Sequence, residues 1–363
     1  MKYRNFNKQN KVLTKSGSYL MDVHYFSEVN FKRWMERLSQ EAPLYHPKEI
    51  TGNLFYQRFI PEEEVVLGEA RTMEPLKAFF FSLNQRVATY PSPSRIKKDE
   101  GLRIFLGVKA CDLQSLEILD EVFIDGEYKE PFYLKERRNT ILISSDCTKP
   151  RDACFCNLVD LEPYPRKGFD LNLSSLKEGF LVEVGSEKGN ELLLRYKEFF
   201  DRPSGEQIEE QKKNRNKSLN LLKVTNTSFK TKKSYQKIVK KNYDSPLWEE
   251  ETEDCVECGL CTNICPTCHC YLLYDEKEKR VFNRMRMWDS CQYRGFARVA
   301  GGANPRPRLA ERLRHRYLHK LDYFKETTGL YMCTGCGRCV EGCLGKIDMR
   351  EVLKKLDDYV ITS

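Results

Sequence analysis

The spacing of the cysteines constrains this chain more than any other feature of its sequence. One run has the pattern C-x2-C-x2-C-x3-C-P and comprises Cys255, Cys258, Cys261 and Cys265, with Pro266 after it. A second run repeats the spacing with Cys333, Cys336, Cys339 and Cys343, and has Leu344 in place of the proline. Two-residue gaps let one tight turn direct three thiolates at the corners of a single 4Fe-4S cube. The two runs therefore predict a 4Fe-4S domain, and zinc is less favoured because it prefers separated C-x2-C pairs.

The ligands of the two predicted clusters follow from a general rule. In two-cluster ferredoxins the fourth cysteine of each run ligates the cluster of the other run. The predicted ligands of the first cluster are therefore Cys255, Cys258, Cys261 and Cys343. Those of the second cluster are Cys333, Cys336, Cys339 and Cys265.

Four cysteines in the first part of the chain leave two interpretations open. Cys111 follows a predicted buried strand, Leu102–Val108, where a helix begins, and Cys147 follows a second strand, Thr140–Ser144; Cys154 and Cys156 come in the next loop. Open α/β sheets bind ligands at the carboxyl ends of their strands, and a helix N-terminus favours the thiolate form of cysteine. These four cysteines either ligate a third 4Fe-4S cluster or are buried structural thiols.

Three further thiols lie between the two runs and have no assigned role. They are Cys268, Cys270 and Cys291. Packing beside the clusters is the simpler interpretation, and a ligand role, including replacement of Cys265, is the alternative. The sequence does not decide between them.

Composition divides the 363 residues into three regions. Residues 1–200 alternate buried strands, including Phe180–Val184, with helical patterns, and Asp112 is placed to cap the helix at Leu113–Phe123. Residues 201–250 are a lysine-rich linker or insertion, and residues 251–363 contain eleven of the fifteen cysteines. The predicted fold class is an α/β N-terminal domain, with a possible extra cluster site, followed by an α-rich, two-cluster ferredoxin-like C-terminal domain.

One C-terminal helix has a regular apolar face and several basic residues elsewhere. Leu309, Leu313, Tyr317, Leu321 and Phe324 recur at helical spacing, and the other faces carry Arg312, Arg314, Arg316 and Lys320. We expect Arg284, Arg286, Arg338 and Arg350 to offset the negative charge of the clusters.

The net charge of +8 is local. The stretch 211–243 contains eleven Lys and Arg residues and no acidic residue, so the remainder of the chain has a net charge of -3. A solvated charged surface is the favoured interpretation, docking of an acidic partner is the alternative, and we do not expect nucleic acid as a partner. No apolar run reaches the ~20 residues of a membrane span, and residues 1–20 have no apolar segment typical of a signal peptide. We therefore predict a cytoplasmic protein with no membrane partner.

Several motifs together resemble one protein family over about 330 residues. They are Gly107-Val-Lys-Ala-Cys111-Asp-Leu113, Cys154-Phe-Cys156, Gly168-Phe-Asp170, Cys265-Pro-Thr-Cys268-His-Cys270, Trp288-Asp-Ser-Cys291, Gly301-Gly-Ala-Asn-Pro-Arg306 and Ile347-Asp348. The chain resembles the iron–sulfur (beta) subunits of cytosolic nickel–iron sulfhydrogenases and the iron–sulfur subunits of anaerobic sulfite reductases. The resemblance implies transfer of electrons between a catalytic subunit, which is a hydrogenase or a sulfite reductase, and a flavin- and NAD(P)-binding reductase subunit. Leu344 and the lysine-rich stretch depart from the family pattern.

These observations favour a non-catalytic electron-transfer subunit of an oxidoreductase complex with two 4Fe-4S clusters and, on one interpretation, a third. The sequence contains no glycine-rich phosphate-binding motif and no Ser–His–Asp arrangement. The alternative is a self-contained flavin-dependent iron–sulfur reductase with its substrate beside Cys111 and Cys147. A redox-sensing protein that binds DNA is the least favoured hypothesis.

Overall fold

A computed structural model describes residues 23–91 and 101–359 of the chain. The N-terminal residues, for which the sequence predicts no signal peptide, lie outside these ranges. In the part of the chain that is described, no helix has both the length and the apolar character to cross a membrane.

The described strands form two sheets. In chain order they are β1 (Val23–Phe26), β2 (Leu44–Ile50), β3 (Asn53–Arg58), β4 (Asn84–Tyr90), β5 (Arg103–Val108), β6 (Thr140–Ser145), β7 (Leu171–Ser175), β8 (Phe180–Val184), β9 (Tyr271–Glu278) and β10 (Val281–Trp288). The larger sheet has the order β1-β8-β7-β6-β5-β2-β3, and the smaller one has the order β4-β10-β9. Strands β2, β5, β6 and β7 are parallel to one another, and the remaining pairings are antiparallel.

Helices cover both faces of the larger sheet. The α-helices are α1 (Glu28–Glu41), α2 (Ala110–Phe123), α3 (Pro131–Arg138), α4 (Glu187–Arg195), α5 (Gly205–Thr225), α6 (Tyr235–Lys241), α7 (Leu247–Glu250), α8 (Leu260–Asn263), α9 (Leu309–Leu318), α10 (Phe324–Thr328), α11 (Arg338–Glu341) and α12 (Met349–Asp358). Successive residues of β5 alternate between the faces: Ile104 packs in the core beneath α1, and Phe105 packs in the core beneath α2 and α3. The first part of the chain is thus a three-layer α/β structure.

The predicted strands of this region are confirmed, and one predicted helix boundary is wrong. Strands β5, β6 and β8 lie where the apolar runs predict them. Helix α2, however, begins at Ala110, and its N-cap is Lys109 rather than Asp112. Asp112 lies in the first turn of the helix, fully buried, because its carboxylate pairs with a guanidinium from the far end of the chain.

The C-terminal cysteine runs belong to a region with its own apolar core. Helices α6, α7, α9 and α12 pack around Trp248, Tyr317 and Leu353. Helix α9 continues through a π-helical segment, His319–Tyr323, into α10, so the predicted amphipathic helix runs unbroken over 309–328. Strand β4, from the first third of the sequence, pairs with β10. The domain boundaries at residues 200 and 250 stay a prediction.

Part of the lysine-rich stretch forms an ordered helix that packs against the larger sheet. Helix α5 begins with a capping box at Ser204. The guanidinium of Arg215, on its inner face, bonds the buried carboxylates of Asp146 and Glu183. This ion-pair network fixes α5 beside the carboxyl end of β6, where Cys147 lies.

Candidate metal centres

The structure brings the first predicted ligand set together around one cavity. Cys255, Cys258, Cys261 and Cys343 all line it, although Cys343 is far from the other three in sequence. The Cys258 side chain is exposed to solvent at its edge. The backbone N–H of Ile347 donates to Cys343 Sγ over 3.3 Å, a bond of the kind that stabilises a thiolate ligand. Cys339 of the second run lines the same cavity, so the crossed pairing of the runs stays a prediction.

The repeated sequence pattern produces a repeated backbone structure. Gly259 and Gly337 occupy equivalent positions in the two runs and have left-handed φ angles of +71° and +72°. Each is the N-cap of a short helix, α8 or α11, and these two helices contact each other. A side chain at Gly259 would clash with the Tyr293 ring, with its Cβ 2.6 Å from a ring carbon.

The second predicted ligand set lies deeper in the protein. Cys265 and Cys336 are buried, and Cys333 and Cys339 are half-buried. Cys339 also lines the first cavity. The Lys320 ammonium donates to Cys265 Sγ over 3.2 Å, and the Thr267 hydroxyl lies 3.2 Å from the same sulfur. The two sets are therefore adjacent, with Cys339 between them.

Buried donors beside these thiols lack a protein acceptor, which fits an anionic sulfur-rich group. Arg316 Nε and Thr334 Oγ1 are both buried without a hydrogen-bond partner in the described ranges. Arg316 lines the first cavity, and Thr334 directly follows Cys333. Such orphan donors are rare in folded proteins. Thiols as the donor set, together with unused N–H and O–H groups, suit 4Fe-4S clusters. Over residues 23–91 and 101–359, no three His, Cys, Asp or Glu side chains are placed to bind a single metal ion.

The four N-terminal cysteines also meet around one cavity. Cys111 comes from the first turn of α2, Cys147 follows β6, and Cys154 and Cys156 come from the loop beyond it. Cys336 lines the same cavity. No sequence pattern indicates that Cys336 lies beside these four cysteines, because it is about 180 residues from Cys156 along the chain.

The loop of Cys336 packs directly on the loop of Cys154 and Cys156. The Phe155 N–H donates to Gly335 O over 2.7 Å. A Cβ at Gly335 would lie 2.5 Å from the backbone of Cys156, and Gly335 has a φ of +60°. Glycine is therefore required there for the two loops to touch.

Burial controls the ionisation of the N-terminal thiols. Desolvation raises the pKa of Cys147 to about 12, and it also raises the pKa values of Cys111, Cys154 and Cys156. At Cys111, burial thus opposes the effect on the pKa that is expected from the helix N-terminus. A coordinating thiol loses its proton to the metal regardless. The buried Lys109 ammonium beside Cys147 and Cys111 donates to Ser145 Oγ over 2.8 Å.

Helix α5 packs against cysteines that line this cavity, which we call the third cavity because it is the candidate site of the third cluster. The Ser218 hydroxyl donates to Cys147 O over 2.5 Å, and Leu222 packs against Cys154 and Cys156. The Asn226 amide donates to Cys154 O over 2.9 Å. The lysine-rich segment thus contributes its inner face to a candidate site.

The three unassigned thiols lie beside the second ligand set. The neighbouring Cys268 thiol is the main cause that lowers the pKa of Cys265. Cys270 precedes β9 and Cys291 follows β10, and the neighbouring Cys270 thiol is the main cause that lowers the pKa of Cys291 to about 6.

The basic residues near the thiols differ from those expected from the sequence. Three of the four arginines expected to offset the cluster charge pair with carboxylates instead: Arg284 with Asp275 on the surface, Arg286 with Glu130, and Arg350 with Asp348. The role expected of these three is therefore not supported. Of the four, Arg338 alone lies near predicted ligands, namely Cys336 and Cys111.

Sequence reasoning missed the cations beside the second set. Burial lowers the pKa of Lys77 to about 8, against the opposing effect of the Cys268 thiol. Burial also lowers the pKa of Lys320, but the nearby Cys265 and Cys268 thiols outweigh it and raise the pKa overall. Arg316 lines the first cavity together with Cys339. A period-four stripe of basic residues on the 309–328 helix was the available signal, yet charged stripes usually face solvent.

Comparisons with known proteins define the class. Residues 254–347 match the profile of a 4Fe-4S dicluster domain. The thiol-lined cavities and this match identify an iron–sulfur, metal-binding protein of electron transport.

A full-length relative identifies the family. The chain is 32% identical over 339 residues to sulfhydrogenase 2 subunit beta of Pyrococcus furiosus, and the match spans 91% of this chain and 97% of that protein. The chain therefore belongs to the family of sulfhydrogenase beta subunits, as the motifs around Cys111 and Cys291 predict.

Proposed function

We propose that this chain is the electron-transfer subunit of a hydrogenase-type oxidoreductase complex. The observation that carries the proposal is the convergence of Cys255, Cys258 and Cys261 with Cys343 around one cavity. Bound 4Fe-4S clusters supply reversible one-electron transfer. The protein residues ligate the clusters, exclude water from them and donate hydrogen bonds to sulfur, and no residue of the chain is assigned a catalytic role.

The partners are inferred from the family. The Pyrococcus furiosus relative is a subunit beta, a name that implies a complex of several chains. We infer that the present chain assembles with two kinds of partner, namely a catalytic subunit of the hydrogenase or sulfur-reducing type, and a flavin- and NAD(P)-binding reductase subunit. The exposure of Cys258 supports a first cluster whose edge a partner can reach.

A third 4Fe-4S cluster forms part of the proposal. Its candidate ligands are Cys111, Cys147, Cys154 and Cys156, which line the third cavity together with Cys336. The support is geometric, since three separate segments bring thiols to the carboxyl end of parallel strands beneath α5. The contact between the Gly335 and Cys156 backbones supports a third site directly beside the second ligand set.

Iron and acid-labile sulfide analysis of the chain, purified without oxygen, tests cluster number. Two clusters correspond to about 8 iron and 8 sulfide per chain, and three correspond to about 12 of each. Cys343→Ser and Cys147→Ser should each lose up to about four iron atoms. Cys291→Ser, outside the predicted sets, is the matched control and should keep the wild-type content. Zinc without sulfide would overturn the proposal.

Electron throughput tests the role itself. The assembled complex that contains Cys343→Ser should retain its partner subunits and lose transfer between the nicotinamide and the catalytic subunit. Unchanged throughput would contradict the proposal. A flavin released from the isolated chain, together with turnover by that chain alone, would instead support a self-contained reductase.

A further inference from the structure

Three buried cations surround the second ligand set, and electron transfer alone does not explain them. Lys77 and Lys320 are each only 2% exposed, and Arg316 is 5% exposed. Arg316 and Lys320 lie one turn apart on the 309–328 helix; Lys320 bonds Cys265 Sγ, and Arg316 lines the first cavity together with Cys339. One predicted ligand of the second cluster thus bonds a buried cation, and another lies beside a second buried cation.

The ammonium group of Lys320 makes three hydrogen bonds. Its ammonium donates to Cys265 Sγ over 3.2 Å, to Thr267 Oγ1 over 3.0 Å and to Met332 O over 3.2 Å. These acceptors use all three N–H groups of the ammonium. Lys320 lies in the π-helical segment of the helix, a local geometry that is frequent at functional sites.

Neither buried lysine has a carboxylate partner in the described chain. Lys320 forms no ion pair there, and Lys77 donates to the carbonyls of Thr262 and Cys268 over 3.2 and 2.8 Å. The Lys77 ammonium also lies 4.2 Å from the centre of the Trp288 ring. A charge removed from water without a counter-charge is strongly unfavourable. The anionic group that compensates Lys320 must therefore lie on the side of Cys265.

We propose that Lys320 is a positioning residue that raises the reduction potential of the cluster ligated by Cys265. This inference rests on the proposed function, because it requires Cys265 to be a cluster ligand. One-electron reduction adds one negative charge to the cluster, and no bond to Lys320 forms or breaks. A fixed positive charge and an N–H···S bond stabilise the more negative, reduced state more than the oxidised state. Lys77 and Arg316 act in the same direction.

The test is an EPR-monitored redox titration of the full-length chain with its clusters, with dithionite as reductant. Lys320→Met keeps the length of the side chain and removes its charge. We expect one midpoint potential to fall by about 59 mV, a tenfold change in the ratio of reduced to oxidised cluster for a one-electron couple. Lys320→Arg should keep most of the wild-type potential.

A lysine on the same helix provides the matched control. Lys325 stacks on the Tyr331 ring, 3.5 Å from its centre, and has no bond to a cysteine sulfur. Lys325→Met should leave every midpoint potential unchanged. Equal shifts in the Lys320 and Lys325 variants, or no shift in either with full iron content, would overturn the inference.

Iron content separates failure of the inference from failure of the proposed function. If Cys265→Ser keeps all of its iron, the ligand assignment is wrong and the inference falls with it. If Cys265→Ser loses iron while Lys320→Met keeps both iron and potential, only the role of Lys320 is wrong. If Lys320→Met does not assemble, Lys77→Met replaces it, and the absence of a lower midpoint potential in that variant overturns the inference.

Discussion

The ion pair between Asp112 and Arg338 should be the strongest single polar contact between the two cysteine-bearing parts of the chain. Both side chains are 0% exposed, and the guanidinium bonds the carboxylate twice, over 2.9 and 2.8 Å. Arg338 also donates to Thr72 O over 3.0 Å. Asp112 directly follows Cys111, and Arg338 lies between Cys336 and Cys339.

Asp112→Asn should destabilise the protein by about 3–5 kcal/mol, the usual cost of removing one partner of a buried pair. The amide keeps the shape of the carboxylate, but it removes the negative charge and turns N–H groups toward a guanidinium that remains buried. Because both side chains are 0% exposed, the expected cost is at the upper part of this range, since water cannot replace the lost acceptor.

Urea unfolding of the holoprotein without oxygen measures this loss. Far-ultraviolet circular dichroism and visible cluster absorption are followed together, and a shifted midpoint with an unchanged slope reports lost stability. Asp275→Asn is the control, because its ion pair with Arg284 is on the surface and should contribute little. The double variant Asp112→Leu/Arg338→Met should recover most of the loss. If Asp112→Asn unfolds at the same urea concentration as Asp275→Asn, the pair is not a structural link.

Three further changes have defined outcomes. Gly335→Ala should lower the iron content by separating the loop from Cys156, where the new Cβ would lie 2.5 Å from backbone atoms; wild-type iron would contradict this. Leu222→Ala should cost about 2–5 kcal/mol in urea unfolding because Leu222 is buried, whereas Val224→Ala, 73% exposed on the same helix, should cost little. Burial raises the pKa of Glu74 from 4.5 to about 7, so the folded state binds the extra proton and stability falls as pH rises through this window. Glu74→Gln should flatten that fall, and an unchanged pH dependence of unfolding would refute the assignment.

The sequence predicted those parts of the structure that depend on residues close together along the chain. The two cysteine runs set their own turns, because the glycine directly after the second cysteine of each run takes a left-handed φ that other residues disfavour. Strands β5 and β6 follow from continuous apolar runs bounded by polar residues. Cys343 and Cys255 line one cavity, as expected from the known relation between spacing and ligation, while the ligand sets themselves stay a prediction.

Contacts between distant segments were not predictable from the sequence. Asp112 has the position and chemistry of an N-cap, and only the arrival of Arg338 makes it a buried partner instead. Arg312 and Lys320 resemble residues of a solvated helix face, yet both are buried because acceptors from other segments meet them. A sequence pattern shows which residues share a helix face, but it does not show what packs against that face.

The shared thiols give the three candidate sites an order within the protein. Cys339 lines the first cavity and belongs by sequence to the second ligand set, while Cys336 belongs to the second set and lines the third cavity. The second set is therefore central, with the exposed Cys258 at one end and the cavity beneath α5 at the other. On the proposed function, an electron that crosses the chain must pass the second cluster. A cation fixed at Cys265 therefore acts on the cluster that electrons pass in either direction. A change in the reduction potential of this cluster alters how the electrons are distributed over all the clusters.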